Sequence, residues 1–423
     1  MRETDLDDVF AEFERRTAPT FRPPGLAAAG RRVRDRRVRR RGLLAGVVAL
    51  LLAGPGGAYA LAGRGVDGNR PTPTPSPTAS PPDDRPVKRT VTVPGVRGEL
   101  RQLTFVDARH GWAFFDTCDP EDVGSTDCRR DLARTTDGGV TWRRMVLPAV
   151  ANEPTTTLGS LFLLPVDDQQ LTVAIGDRYL VTTDGGASFT EHPIDAPPRV
   201  TRLAVATRSG YLLRCPDDDR LSSHIPCARQ RLVRVDGAAV PAQPPVDLVA
   251  NADKSLVEGG DNRLWVAVRN GDRMTVAVSD DGAVTWRKLP TVAGAAGLLV
   301  SPDGTDVWLV SMNPVSGTSS ASPRRVWALR DDRWQEQPGL PDDTFAAVAA
   351  NDGVLAVTAV YGGGGYWVGG RYVDEPALGG TQRDGGEAFI VKVLSDDTIV
   401  LSYPTGIFLG TGSGVDRSWT RLS

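Results

Sequence analysis

The stretch Thr135–Trp142, TTDGGVTW, constrains this chain more than any other because it comes back. It returns as Thr182–Phe189, TTDGGASF, and more loosely as Ser279–Trp286, SDDGAVTW. The aspartates Asp137, Asp184 and Asp281 stand 47 and 97 residues apart, the second interval close to twice the first, so one copy has drifted in between. A turn followed by an aromatic at a period of about 48 residues marks a repeat array. In each unit the short acid accepts N–H bonds from its own turn, and Gly139 and Gly186 supply positive φ. The hydroxyls of Thr135, Thr141, Thr182, Ser188, Ser279 and Thr285 close the loop. Trp142, Phe189 and Trp286 then bury a large apolar face against a neighbouring sheet. The repeat reads as a hairpin clip and not as a catalytic site.

The pattern S/T-x-D-x-G-x-T/S-W/F resembles the Asp-box, or BNR repeat, of sialidases, sortilin-type receptors and related β-propellers. The first two copies match at every pattern position, and the third carries Ala283 where the pattern has glycine. The run Leu103–Trp142, with Asp107 and His110-Gly111-Trp112, is similar to the repeat of photosystem-assembly propellers. Together these resemblances cover residues 98–423. They imply an all-β propeller whose boxes lie at the blade periphery, away from the ligand face, and they imply little about function.

The rest of the chain is uneven. A formal charge of -3 and a pI near 5.8 give no overall preference for nucleic acid. Residues 1–41 nevertheless hold twelve Arg against seven Asp or Glu, a net of +5, which leaves about -8 on the remainder. The 45 arginines against four lysines point to a GC-rich and hence actinobacterial source. Residues 5–16 place Leu6, Val9, Phe10 and Phe13 on one helical face, a candidate docking helix for a cytoplasmic partner. Residues 42–63 contain no charged side chain over 22 residues, enough to cross a hydrocarbon core of about 30 Å. Eight arginines in residues 31–41 hold that end inside by the positive-inside rule, which accounts for the basic run without nucleic acid. Ala58-Tyr59-Ala60 offers the rival reading of a cleaved signal, against which stands a leading segment of about forty residues. Residues 64–87 are rich in Pro, Thr and Ser and cannot support a packed core, so they are expected to form a disordered stalk.

Residues 88–423 change character: short Val, Leu, Ile and aromatic runs are punctuated by Gly, Asp and Pro. Expected strands are 100–106, 111–115, 171–175, 201–206, 264–268, 274–278, 307–311, 354–359, 389–394 and 398–402, with 87–93 closing a ring. Box-end aromatics at Trp142, Phe189, Trp286, Trp334 and Trp419, a degenerate unit at Asp236-Gly237 and one further unit over 345–372 make seven blades; six or eight also fit. Cys118, Cys128, Cys215 and Cys227 all lie in this part, and their order suggests the disulfides Cys118–Cys128 and Cys215–Cys227.

Candidate chemistry is sparse. The F/Y-R-I-P segment of sialidases is missing from residues 88–423, and Phe21-Arg22-Pro23-Pro24 lies in the tail. His110, His192 and His224 fall in turns or beside prolines. Asp217–Asp219, Asp342-Asp343 and Asp396-Asp397 read as surface turns before calcium ligands. No catalytic residue, metal or cofactor is expected. The loop 361–371, YGGGGYWVGGR, reads first as a flexible hairpin between two blade strands; the alternative is that Tyr361, Tyr366, Trp367 and Arg371, beside Tyr372, form a stacking surface for sugar or peptide. The expected molecule is a single-pass membrane protein, N-terminus cytoplasmic, whose extracytoplasmic propeller is a non-catalytic binding or scaffolding module for an envelope protein or glycan. A sialidase-like glycoside hydrolase and a transmembrane signalling receptor are the alternatives.

Overall fold

The computed structural model describes residues 86–117, 129–152, 161–215, 228–249, 252–311, 324–341, 344–359, 363–378, 390–403 and 406–423. The expected docking helix 5–16, the apolar span 42–63 and nearly all of the stalk lie outside them, as do Cys118, Cys128, Cys227, His224, Tyr361, Asp217–Asp219 and Asp342-Asp343. Among the described residues no helix is long and apolar enough to cross a membrane.

Among the described residues the strands group in chain order into seven sheets. The first is β2 (Glu99–Phe105), β3 (Gly111–Asp116), β4 (Arg130–Thr135) and β5 (Arg143–Met145), and the second is β6 (Leu161–Pro165), β7 (Leu171–Ile175), β8 (Arg178–Thr182) and β9 (Thr190–Pro193). The third is a pair, β10 (Tyr211–Arg214) and β11 (Arg231–Arg234), preceded by a helix, α1 (Arg199–Ala204). The fourth holds β12 (Asp253–Glu258), β13 (Leu264–Asn270) and β14 (Arg273–Ser279), with β15 (Arg287–Lys288) and β16 (Val292–Ala293) both on β14. The fifth is β17 (Gly297–Val300), β18 (Val307–Val310), β19 (Arg324–Arg330) and β20 (Arg333–Leu340). The sixth is β21 (Thr344–Ala349), β22 (Val354–Ala359), β23 (Gly364–Val368) and β24 (Arg371–Asp374). The seventh is β25 (Ile390–Val393), β26 (Ile399–Tyr403), β27 (Gly406–Ser413) and β28 (Asp416–Leu422), joined by β1 (Val87–Arg89), which pairs parallel to β28 with Val87 opposite Thr420.

First strands meet first strands: β2 lies against β6, β12 against β17, β17 against β21 and β21 against β25. The core sits in the seams between sheets. Trp112, Phe114 and Leu132 of the first sheet pack with Leu171, Val173 and Leu180 of the second. Phe105 and Trp142 of the first pack with Val400, Leu409 and Leu422 of the seventh, which closes the circle. Lys392 on β25 adds a polar tie across that closure, its Nζ 3.2 Å from Thr104 Oγ1 on β2. Four-stranded antiparallel sheets in chain order, packed in a ring and sealed by a terminal strand, are the layout of a β-propeller. The middle strands therefore carry apolar residues on both faces, which is why 264–268 reads as an unbroken hydrophobic run and 171–175 and 354–359 are each interrupted only by a threonine.

The repeated turns are built as their sequence implies. Thr135 Oγ1 donates to Asp137 Oδ1 at 2.8 Å and accepts Gly139 N–H at 2.9 Å, while Asp137 Oδ2 receives Thr141 Oγ1 at 2.6 Å. Asp184 receives Thr182 Oγ1 and Ser188 Oγ, and Asp281 receives Ser279 Oγ and Thr285 Oγ1, in the same arrangement. Gly139 takes φ 82°, and Ala283 at the matching place in the third copy is forced to φ 65°, a region costly for a side chain with a Cβ. These bonds favour the ionised acids. In Asp137 burial pushes the carboxyl up, but the Thr141 and Thr135 bonds outweigh it and bring it to about 2. Asp184 is held at about 2 chiefly by Ser188, and Asp281 chiefly by Thr285.

A carboxyl whose folded-state pKa is depressed adds stability that is full above its unfolded value, near 3.9, and is lost as pH falls toward the folded value. Thermal unfolding followed by circular dichroism is therefore expected to weaken between about pH 4 and pH 2. The triple variant Asp137→Asn, Asp184→Asn, Asp281→Asn should be less stable at pH 7 and lose less in that window. Asp137→Ala alone should cost about 1 kcal/mol. An unchanged acid profile in the triple variant would contradict this account of the turns.

Candidate functional site

The third sheet breaks the pattern. The short apolar run TRLAVA at 201–206 suggests a strand; the structure instead has α1 over its first four residues. Pro197-Pro198 explains the difference, because Pro198 takes the N-cap position at φ -69° and ψ 168° and sets the chain up for a helical turn. Thr201, fully buried, shares a 3.0 Å hydrogen bond with Thr172 on β7, and Val200 packs with Ala174, Tyr179 and Val181. The helix is thus carried over onto the second sheet. The turn that follows is normal: Thr207 N–H donates to Tyr211 O at 2.8 Å, as Val106 N–H does to His110 O and Gly259 N–H to Arg263 O. So α1 stands where the other sheets have their first strand.

Among the described residues the outer strand is reduced to one bridge, Arg229 to Val249. Pro241, Pro244 and Pro245 deprive the segment after β11 of ladder donors. The Gln243 side chain takes the strand's place, accepting Leu232 N–H at Oε1 and donating from Nε2 to Leu232 O, both at 2.9 Å. The turn at Asp236-Gly237 keeps a remnant of the box, with Asp236 Oδ1 accepting Ala238 N–H at 3.0 Å.

Where the first strand is absent there is a cavity of about 660 Å³. Among the described residues its lining carries five cationic side chains, Arg202, Arg208, Arg214, Arg234 and Lys254, and one carboxylate, Glu258, over an aliphatic floor that includes Leu213 and Leu256. Arg234 is compensated: Asp236 pairs with it at 2.7 Å and raises its pKa, and its guanidinium lies over the Tyr211 ring at 5.2 Å. Glu258 is occupied by Ser209, whose N–H donates to Oε2 at 2.7 Å and whose hydroxyl donates to Oε1. Arg208 donates to Gly259 O and Asn262 Oδ1, both at 3.0 Å. Lys254 Nζ donates to Val249 O and Ala252 O, and burial lowers its pKa. Arg202 gives Nε to Pro197 O, and among the described residues its two terminal nitrogens have no partner. The cavity therefore presents positive charge beside apolar surface, the chemistry of an anion-accepting pocket.

Two residues of the expected aromatic surface at 361–371 are buried and cannot contribute to it. Tyr366 and Trp367 are 2% and 1% exposed, because β23 is an inner strand whose successive side chains enter the seams on either side. Tyr366 accepts Trp419 Nε1 at 3.1 Å, and Trp367 meets Trp308 edge-on at 5.4 Å. Gly364 and Gly365 are strand residues, and a Cβ on Gly365 would lie 2.2 Å from Val373 O. Arg371 and Tyr372 are exposed on the outer strand β24. Asp397 ion-pairs with Arg417, and Asp396 accepts Ala108 N–H across the ring closure, so both have structural partners. Among the described residues no group of acids, cysteines and histidines is arranged to hold a metal ion. Cys215, at the cavity wall, is disulfide-bonded. His110 Nδ1 meets Asp107, and His192 Nε2 meets Thr190 Oγ1.

No family model matches the chain, and no curated protein matches it. Among solved structures, YCF48 bound to D1 peptide is 15% identical with a TM-score of 0.28, over 77% of this chain and 80% of that one. An ancestral GH74 enzyme is 11% identical with a TM-score of 0.43 over 78% of this chain, which spans 47% of that enzyme's length. TolB from Acinetobacter baumannii is 12% identical with a TM-score of 0.32, over 60% of this chain and 66% of that one. At such values the propeller rests on the strand topology and not on these likenesses.

Replacing Gln243 by Leu leaves Leu232 N–H and C=O, on a residue 1% exposed, without their partner. The expected loss is about 1–3 kcal/mol in urea unfolding. Stability equal to wild type would show that the side-chain amide does not stand in for the missing strand.

Proposed function

We propose that the chain is a seven-bladed Asp-box propeller that acts as a non-catalytic binding module, taking an anionic ligand in the cavity of its third blade. Each of the seven sheets is one blade, and the third is the one adapted for binding. The observation that carries this reading is the cavity: among the described residues five cations, one of them paired with Asp236, line it with one carboxylate, beside a position that has no first strand, in a chain whose residues after 41 sum to about -8. Positive lining against a negative background focuses anions at that mouth. The wider placement follows the sequence. Residues 42–63 are the membrane span, 1–41 the cytoplasmic tail, 64–87 the stalk and 88–423 the extracytoplasmic propeller, so the ligand is met at the cell envelope. Alkaline carbonate extraction that releases the chain from membranes would contradict the anchor.

The binding reading is tested by fluorescence titration of the full-length chain with N-acetylglutamate, phosphate and short acidic peptides at low and high salt. At least one probe should bind with a strong salt dependence, and Arg202→Glu with Lys254→Glu should weaken it at least tenfold, on the order of 1.4 kcal/mol. Absence of binding by any probe, or equal binding by the double variant, would sink the proposal.

A further inference from the structure

One wall of the cavity is a strand edge. In an antiparallel ladder a residue turns both its N–H and its C=O toward the same neighbour, and the direction alternates along the strand. Leu232 sends both groups outward to Gln243, so Leu213, its register partner across the β10–β11 pair, turns both of its groups the other way, into the cavity. Tyr211, two residues earlier, confirms the direction: its C=O accepts Thr207 N–H and its N–H donates to Thr207 Oγ1. Among the described residues, the backbone N–H and C=O of Leu213 have no hydrogen-bond partner.

In the other sheets this position is covered by the first strand. Trp112 lies opposite Thr104, Thr172 opposite Leu164, Trp265 opposite Val257, Trp308 opposite Leu299, Ala356 opposite Val348 and Val400 opposite Lys392. In the third sheet the matching residue would be Val205. It caps α1 with its side chain 48% exposed, and the helix has gone to the second sheet.

Building on the binding function above, we infer that the cavity takes an extended acidic peptide, which adds to β10 as the missing first strand of the third blade. Main-chain hydrogen bonds to Leu213 give such a segment its register, and alternate side chains supply specificity. Because successive side chains of a strand point to opposite sides, acids at every second position can meet Arg202 on the side of α1. The residues between them then face Leu256 and Lys254, which share one face of β12. First strands elsewhere in the ring are four to seven residues long, so a segment of about five fits the place.

The test uses the full-length chain and fluorescein-labelled peptides of alternating Val and Glu, read by fluorescence polarisation. Two further peptides keep the same charges but carry backbone N-methyl groups, one set on the amides of each edge. Strand addition uses one edge, so methylation of that edge should weaken binding at least tenfold while methylation of the other leaves it unchanged. Equal binding by all three peptides would overturn strand addition while leaving the anion-binding reading standing, as would binding of N-acetylglutamate or phosphate with none of the peptides. No binding of any probe would overturn both.

Discussion

A single backbone hydrogen bond recurs at one end of every sheet and fixes the frame for everything else. It runs from the residue that ends the first strand to a carbonyl at the start of the second: Val106 to His110, Val166 to Gln170, Thr207 to Tyr211, Gly259 to Arg263, Ser301 to Asp306, Ala350 to Val354 and Leu394 to Thr398. The turn carrying it also binds the next sheet. Asn351 Oδ1 accepts Asp303 N–H, Asp397 Oδ1 accepts Asn351 N–H, and Asp396 Oδ2 accepts Ala108 N–H across the closure. Because this turn is kept in the third sheet while the strand before it is lost, the sheet stays in register with its neighbours and the missing strand becomes a hole and not a rearrangement.

A closed ring makes that loss local. Each seam elsewhere buries a cluster of large apolar side chains, so the neighbours of the third sheet are held by their other faces. The seam between second and third sheets is thinner, with Ala174, Tyr179 and Val181 its buried residues. Polar groups stand in for strands there: the Thr172–Thr201 pair holds α1, and Gln243 pairs the outer edge of β11. The outer edge is thereby closed to pairing, while the inner edge at Leu213 is open and faces cations. The proposed strand addition depends on that asymmetry.

Much of this frame was legible in the residues. The repeated DGG turns, the alternation of apolar runs and the closing segment at 87–93 each depend on local chemistry, such as a short acid beside glycine or a strand buried on both faces, and each appears where that chemistry implies. The site was not legible in the same way. TRLAVA is a short apolar run of the kind a strand has, and only Pro197-Pro198 upstream and the contact of Thr201 with a residue 29 positions earlier make its first four residues helical. The prolines around Gln243 were a visible sign that no outer strand forms, yet the sequence does not show a side chain taking its place. The opposite error came from 361–371, where glycines and aromatics suggest an exposed loop. Those glycines admit close strand packing, and Tyr366 and Trp367 fill two seams. An aromatic next to glycine is ambiguous until its strand is placed in a sheet.

The central claim is that the edge of β10 is unpaired at Leu213. Residue-resolved amide hydrogen exchange on the free chain measures this directly. The Leu213 amide should exchange orders of magnitude faster than the amides of Trp112, Trp265 and Trp308, which occupy the same place in complete sheets. Protection of Leu213 equal to theirs would mean that a strand already covers this edge and would contradict the account.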